Sequence, residues 1–240
     1  MVLDEPFVGC YLQIGSQVRS RAACPAAFRF VQTPFSNVRG NNSLPLKVQN
    51  RVLELIRKIL GGSEEQTPAW LMRPAAKECG RCWPLIDKIY LDLTGFHLPS
   101  EMPWRERRNV DCVLKQPNGE RRIIEVDESQ HFNLYRAKTL RLYPEDVLVA
   151  FDKNVWIKCS EAKKRLEGGG FGKPKPPLFP GEGGRHRQRA FRDALADILP
   201  REHGFKPTLR VAYFEVDGWS AADSASETMT RLLRNRGLLN

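Results

Sequence analysis

The clearest pattern in the chain is an alternation that breaks and resumes around one turn. Asn109 to Leu114 reads as a strand, Pro117-Asn118-Gly119 as a tight turn, and Arg121 to Asp127 as the returning strand, β-branched and apolar at Ile123, Ile124 and Val126. Upstream, Val48, Val52, Leu55, Ile56 and Ile59 recur at helical spacing and predict an amphipathic helix over 47–60, which Gly61-Gly62 would end. Downstream, Ala190, Phe191, Ala194, Leu195 and Ile198 predict a second amphipathic helix over 185–199. Shorter signals predict a helix over 132–142, strands over 147–151, 155–157 and 208–216, and a last helix over 222–233. Prolines 68, 74, 84, 99 and 103 interrupt residues 63–108, where no long element is expected.

Two stretches carry little pattern. Residues 1–45 read as a strand over Val8–Ile14 followed by loops with Arg19, Arg21, Arg29 and Arg39, either a DNA-contacting arm or an irregular extension. The Gly/Pro/Lys-rich segment over 168–184, within an insertion placed around 160–184, reads as a mobile loop in a core spanning 46–240. The fold class expected is α/β, a mixed central sheet flanked by helices.

The 240 residues are 41% hydrophobic and 28% charged, the balance of a globular chain large enough to bury a core. No run of 18 apolar residues occurs, and Met1–Phe7 lacks a basic region ahead of an apolar stretch, so neither a membrane span nor a signal peptide is expected and the cytoplasm is the default location. The formal net charge of +10 favours a polyanionic partner, with nucleic acid first.

The hairpin gives this charge a chemistry. Glu125 and Asp127 project to one face of their strand, because side chains alternate. Asp111, on the partner strand, is placed to sit beside Glu125, since facing residues lie about 4.5–5.5 Å apart. Three converging carboxylates make an oxygen-rich pocket suited to a hard divalent cation. The bland alternative is a solvated acidic edge paired with Arg121 and Arg122. The Ile123-Ile124 run argues against it, because it marks a central strand.

The stretch from Val110-Asp111-Cys112 through Ile123-Ile124-Glu125-Val126-Asp127-Glu128-Ser129-Gln130-His131 resembles the PD-(D/E)XK nuclease superfamily, close to its very-short-patch-repair-like endonucleases. The resemblance covers about 25 residues and extends more loosely to the 185–199 helix and the 208–216 strand, which are similar to the family's helix and strand after the catalytic hairpin. It implies a restriction-endonuclease-like fold and a Mg²⁺- or Mn²⁺-dependent endonuclease hydrolysing DNA phosphodiesters in restriction, defence or repair, with DNA as partner and a homodimer as one way of cutting both strands. By the same resemblance Asp111, Glu125 and Asp127 hold the metal. The family's lysine position is occupied by Asp127, a departure. Gln130 or His131 would stand in for the lysine, or His131 would act as general base. A non-catalytic nucleic-acid-binding module of the same fold is the alternative.

Arg105, Arg107 and Arg108 beside Trp104, Lys138, and the cluster Arg185, Arg187 and Arg189 are candidate backbone contacts. Cys79-Gly80-Arg81-Cys82 has half of a zinc site but no second pair at suitable spacing, so two partly buried free cysteines are expected rather than structural Zn²⁺. Glu54 falls opposite the apolar stripe of its helix and reads as an exposed surface residue. Glu215-Val216-Asp217 is a second Glu-x-Asp and a lesser rival for the catalytic strand.

Overall fold

A computed structural model describes residues 46–163, 166, 172–218 and 223–239, all within a compact unit spanning Asn41–Asn240. The expected N-terminal strand and arm lie outside the described residues. The elements run α1 (Leu46–Leu60), β1 (Ser63–Glu65), α2 (Ala69–Met72), α3 (Ala76–Cys79), α4 (Trp83–Thr94), β2 (Cys112–Lys115), β3 (Arg121–Asp127), α5 (Leu134–Arg141), α6 (Lys153–Ala162), α7 (Gly184–Ile198), β4 (Lys206–Ala212), α8 (Tyr213–Val216) and α9 (Ala225–Asn235). Among the described residues no helix is long and apolar enough to cross a membrane.

The fold is α/β. Its four strands lie in the order β1-β2-β3-β4: β2 is antiparallel to both β1 and β3, and β4 runs parallel to β3. α1 ends at glycines because the chain must turn at once into β1. Gly62 sits at φ 104°, and a Cβ there would lie 2.1 Å from the Lys115 carbonyl oxygen, so only glycine fits. The hairpin turn forms as its sequence predicts, with Gly119 at φ 84°.

Both sheet faces are buried, which fits a sheet with a parallel strand pair. On one face Cys112, Leu114, Ile124, Val126, Leu209 and Val211 pack with α1 and with Met229 and Leu233 of α9. On the other, Ile123 and Ala212 join a larger core built from α4, α5, α6 and α7 around Trp156, Phe179 and Phe191. Thr208 and Arg210 of β4 turn to this second face, where Thr208 donates to the Ala196 carbonyl at 2.6 Å and Arg210 meets α7.

Several expectations are corrected. Residues 63–108 do contain a long element: α4 starts at Trp83 and holds Pro84 in its first turn, where a missing N–H costs nothing. Residues 147–151 contribute an isolated bridge, Ala150 to Leu209, rather than a strand. Val155–Ile157 is helical, inside α6, because Asp152 caps the helix by accepting from the Asn154 and Val155 amides at 2.9 and 3.1 Å. β4 stops at Ala212 instead of reaching Val216, since Glu215 folds back to accept the Ala212 amide at 2.8 Å and starts α8. The described part of the Gly/Pro-rich loop, 172–183, is pinned: Lys175 and Phe179 exchange backbone hydrogen bonds at 2.6 and 2.8 Å, Phe179 is fully buried, and the Tyr90 hydroxyl donates to the Leu178 carbonyl.

Candidate functional site

The hairpin register pairs Cys112 with Ile124, so one step outward Asp111 comes opposite Glu125. Asp111 leaves the strand ladder there, and its Oδ2 accepts from the Val126 amide at 2.8 Å. Burial pushes both carboxyls above their ordinary range. For Glu125 the value reaches about 7, through burial first and the charge of Asp111 second, with Arg108 opposing. For Asp111 burial again leads; the Val126 amide and His131 pull the other way, and Asp127 adds to the rise. Neither acid of the returning strand is solvated, since Glu125 is 5% and Asp127 0% exposed, which disposes of the acidic-edge alternative. Arg121 pairs with Glu65 at 3.0 Å, and Arg122 donates to the Pro207 carbonyl.

Asp127 is held differently from its neighbour. Its Oδ1 accepts from Arg210 Nη1 at 2.6 Å and its Oδ2 from the indole of Trp156 at 2.7 Å. Arg210 also donates to Asp197 at 2.8 Å, and Asp197 accepts from Arg136 at 2.7 Å and from the Tyr143 hydroxyl at 2.9 Å. All of these groups are buried. Among the described residues, no three His, Cys, Asp or Glu side chains are grouped so as to hold a metal ion. Asp111 and Glu125 face each other, while Asp127 heads this arginine-bridged network.

A short 3₁₀ turn, Ser129–His131, follows β3 and aims Gln130 and His131 at α7. His131 Nδ1 lies 3.0 Å from Asp193 Oδ2 and 3.5 Å from Asp127 Oδ1. Burial alone would lower the imidazole pKa, but Asp193 and Asp127 outweigh it and the net shift is upward. Gln130 donates to Glu128 at 2.7 Å and accepts from Arg189 at 2.7 Å.

Arg185, Arg189 and Arg192 lie three and four residues apart and share one face of α7. Burial and their mutual repulsion lower the pKa of Arg185 and of Arg192. Arg192 donates to Glu106 at 3.2 Å, and Gln188 holds both Glu106 oxygens. Arg187 leaves this row and lies over the Tyr135 ring at 5.2 Å. Arg108 reaches the centre: it donates to Glu125 at 2.6 Å and to the Arg192 carbonyl. Arg107 is exposed and lies over Trp104. The Arg105 side chain lies outside those described. Lys138 is half-exposed and pairs with Asp92 of α4 at 3.9 Å.

The lesser candidates sit in other surroundings. Cys79 and Cys82 are buried free thiols, and burial pushes Cys79 up to about 12. Glu54 is exposed and pairs with Arg51. Glu215 sits on α8 rather than on a strand, bound by Arg236 and the Ala212 amide, while Asp217 is exposed, so the second Glu-x-Asp forms no common face.

The residues missed from the sequence are Asp193, Asp197, Arg210, Arg136 and Trp156. A partial signal was present: Asp193 and Asp197 lie four apart beside Ala190 and Ala194, along the edge of the apolar stripe of α7, an expensive place for carboxylates without a cationic partner once it is buried.

Neither the curated proteins nor the solved structures yield a match. A family model matches residues 89–235, a span that takes in the hairpin carboxylates, α7, β4 and Arg210 and makes up more than half of the sequence, so the chain belongs to the family of unknown function DUF7255.

Proposed function

We propose that this chain is a metal-dependent endonuclease that hydrolyses DNA phosphodiester bonds in the cytoplasm, in restriction, defence or repair. The observation that carries the reading is the opposition of Asp111 and Glu125, two carboxyls raised above their ordinary range beside the arginine row of α7. Facing carboxylates repel until a cation lies between them, and their oxygens suit Mg²⁺ or Mn²⁺. Asp111 and Glu125 would hold that ion; when bound, it polarises the phosphate and lowers the pKa of an attacking water. The antiparallel hairpin followed by α7 and the parallel β4 also supports the restriction-endonuclease-like arrangement that the resemblance implies.

The chain's own groups divide the remaining work. Arg185 and Arg189 hold phosphate oxygens by charge-assisted hydrogen bonds. Gln130, fixed between Glu128 and Arg189, orients what lies against the carboxylates. His131 has its Nδ1 turned to Asp193, so it exchanges protons through Nε2. Asp127 is a positioning residue, tying this strand to Arg210 and His131.

A second reading is a DNA-binding module that does not cut. It is favoured by the arginines already on the acids, Arg108 on Glu125 and Arg210 on Asp127, both at 2.6 Å. The test incubates plasmid, duplex and single-stranded DNA with Mg²⁺ or Mn²⁺ and wild type, Asp111→Ala or Glu125→Ala. Cutting by wild type alone supports the nuclease. Salt-dependent binding by all three without cutting supports the module, and equal cutting by all three removes the assigned site.

A further inference from the structure

Trp104 is 69% exposed, more than any other large hydrophobic among the described residues. With Pro103, Pro176 and Pro177 it lines an open apolar hollow of about 480 Å³. The prolines opposite are fixed in place, because Leu178 and Phe179, directly after them, are buried and held by the Lys175–Phe179 bridge and by Tyr90. Two guanidinium groups lie over the indole, Arg73 at 5.2 Å and Arg107 at 6.0 Å from the ring centre. Among the described residues neither arginine has a carboxylate partner, so their charges remain available to a ligand.

We infer that this hollow is a stacking shelf for an unpaired base, with Arg73 and Arg107 taking the phosphates beside it. An apolar aromatic surface beside unneutralised arginines fits a ligand that is flat, apolar on its faces and anionic at its edges, which describes a nucleotide. Bases inside a duplex are already stacked on each other, so only an unpaired one can cover Trp104. The shelf is tied to the carboxylates through the chain: Trp104 lies four residues before Arg108, whose guanidinium holds Glu125, and the backbone between Trp104 and Arg108 spans at most about 14 Å. The inference rests on the nucleic-acid reading of that site and names its substrate class as DNA with single-stranded character next to the cut.

The test measures binding of the full chain in EDTA, by fluorescence anisotropy, to a labelled single-stranded oligonucleotide and to a blunt duplex of the same sequence. Trp104→Ala is expected to weaken single-strand binding about tenfold, Trp104→Phe to restore most of it, and neither to change duplex binding. Phe96→Ala, another exposed aromatic, serves as the control that changes neither. Equal loss on both DNAs, or no loss on either, overturns the shelf. So does saturation of Trp104 by a proline-rich peptide that leaves oligonucleotide binding intact, since the hollow would then be a peptide groove. Trp104-dependent single-strand binding without metal-dependent cutting keeps the shelf and removes the nuclease. Cutting that Asp111→Ala abolishes, with binding indifferent to Trp104, does the reverse.

Discussion

Arg210 and Asp127 meet across the parallel pairing of β3 and β4, Nη1 to Oδ1 at 2.6 Å, with both side chains wholly shielded from solvent. Arg210 has more than one partner. Its Nε reaches Asp197 and its Nη2 reaches the Asp193 carbonyl, so one guanidinium joins two strands to α7. A buried charge survives only when paired, and removing one partner of such a pair costs about 3–5 kcal/mol. Arg210→Met should therefore lower the free energy of unfolding by about that amount in urea titrations, because it takes the guanidinium from the buried Asp127, which keeps only the Trp156 indole and His131, and removes one cationic partner from Asp197, which keeps Arg136. A loss below about 1 kcal/mol, the level of an exposed ion pair, would show that the network does not hold the sheet to α7 and would free Asp127 for the carboxylate site.

The thiols give a check on packing that needs no assumption about function. Cys79 and Cys82 are buried, and Cys79 is pushed up to about 12 by burial, so at pH 8 it stays a thiol and is unreactive. Cys159 is only partly buried. Brief alkylation of the native protein, read by peptide mass mapping, should label Cys159 ahead of Cys79, Cys82 and Cys112, and all four equally after unfolding. Early labelling of Cys79 would contradict the packing of α3 and α4.

How much of this was legible in the sequence depended on the range of the interaction. The hairpin and α1 were readable because period-two and period-3.6 patterns are local, and Gly119 and Gly61-Gly62 mark the ends. Val155-Trp156-Ile157 misled because β-branched and aromatic residues favour strands, whereas one cap at Asp152 together with burial of Trp156 was enough for a helix. The end of β4 was hidden in the same way, since Tyr213 and Phe214 continue the apolar run and only the Glu215 carboxylate folding back on Ala212 ends it. Asp111 and Glu125 were found together because the hairpin register is short-range. The partner of Asp127 was not, because Arg210 lies 83 positions away and becomes its neighbour only through the parallel crossover.

Glu215 provides a pH signature outside the Asp111–Glu125 pair. Burial raises its carboxyl above the ordinary glutamate value of 4.5, and Arg236 and the Ala212 amide only partly reverse this. A carboxyl raised in the folded state favours folding below its unfolded pKa, and that contribution is lost as pH rises through the folded value. Glu215→Gln removes the titration. The stability of wild type relative to this variant should therefore fall as pH is raised from 4 through the raised value, whatever constant offset the lost contact with Arg236 adds. Thermal melts of both proteins across that window measure it. A difference that grows in favour of wild type with pH would mean that Arg236 dominates and holds the carboxyl below its ordinary value.

The arginine row of α7 makes the last prediction, and it concerns DNA rather than stability. Arg185 sits on the face shared with Arg189 and Arg192, whereas Arg187 is turned onto the Tyr135 ring. A side chain that neutralises one phosphate releases counterions, so its loss reduces the slope of log binding constant against log salt by about 0.9 on duplex DNA. Arg185→Gln should weaken binding by a similar factor on unrelated sequences and reduce that slope by about one contact, since a phosphate contact carries no base information. Arg187→Gln should leave the slope as in wild type. Titrations at several salt concentrations, with metal chelated so that no cutting intervenes, read both numbers. If Arg187 carries the slope and Arg185 does not, the DNA path runs over the Tyr135 side of the helix, away from Asp111 and Glu125, and the carboxylate pair loses its substrate.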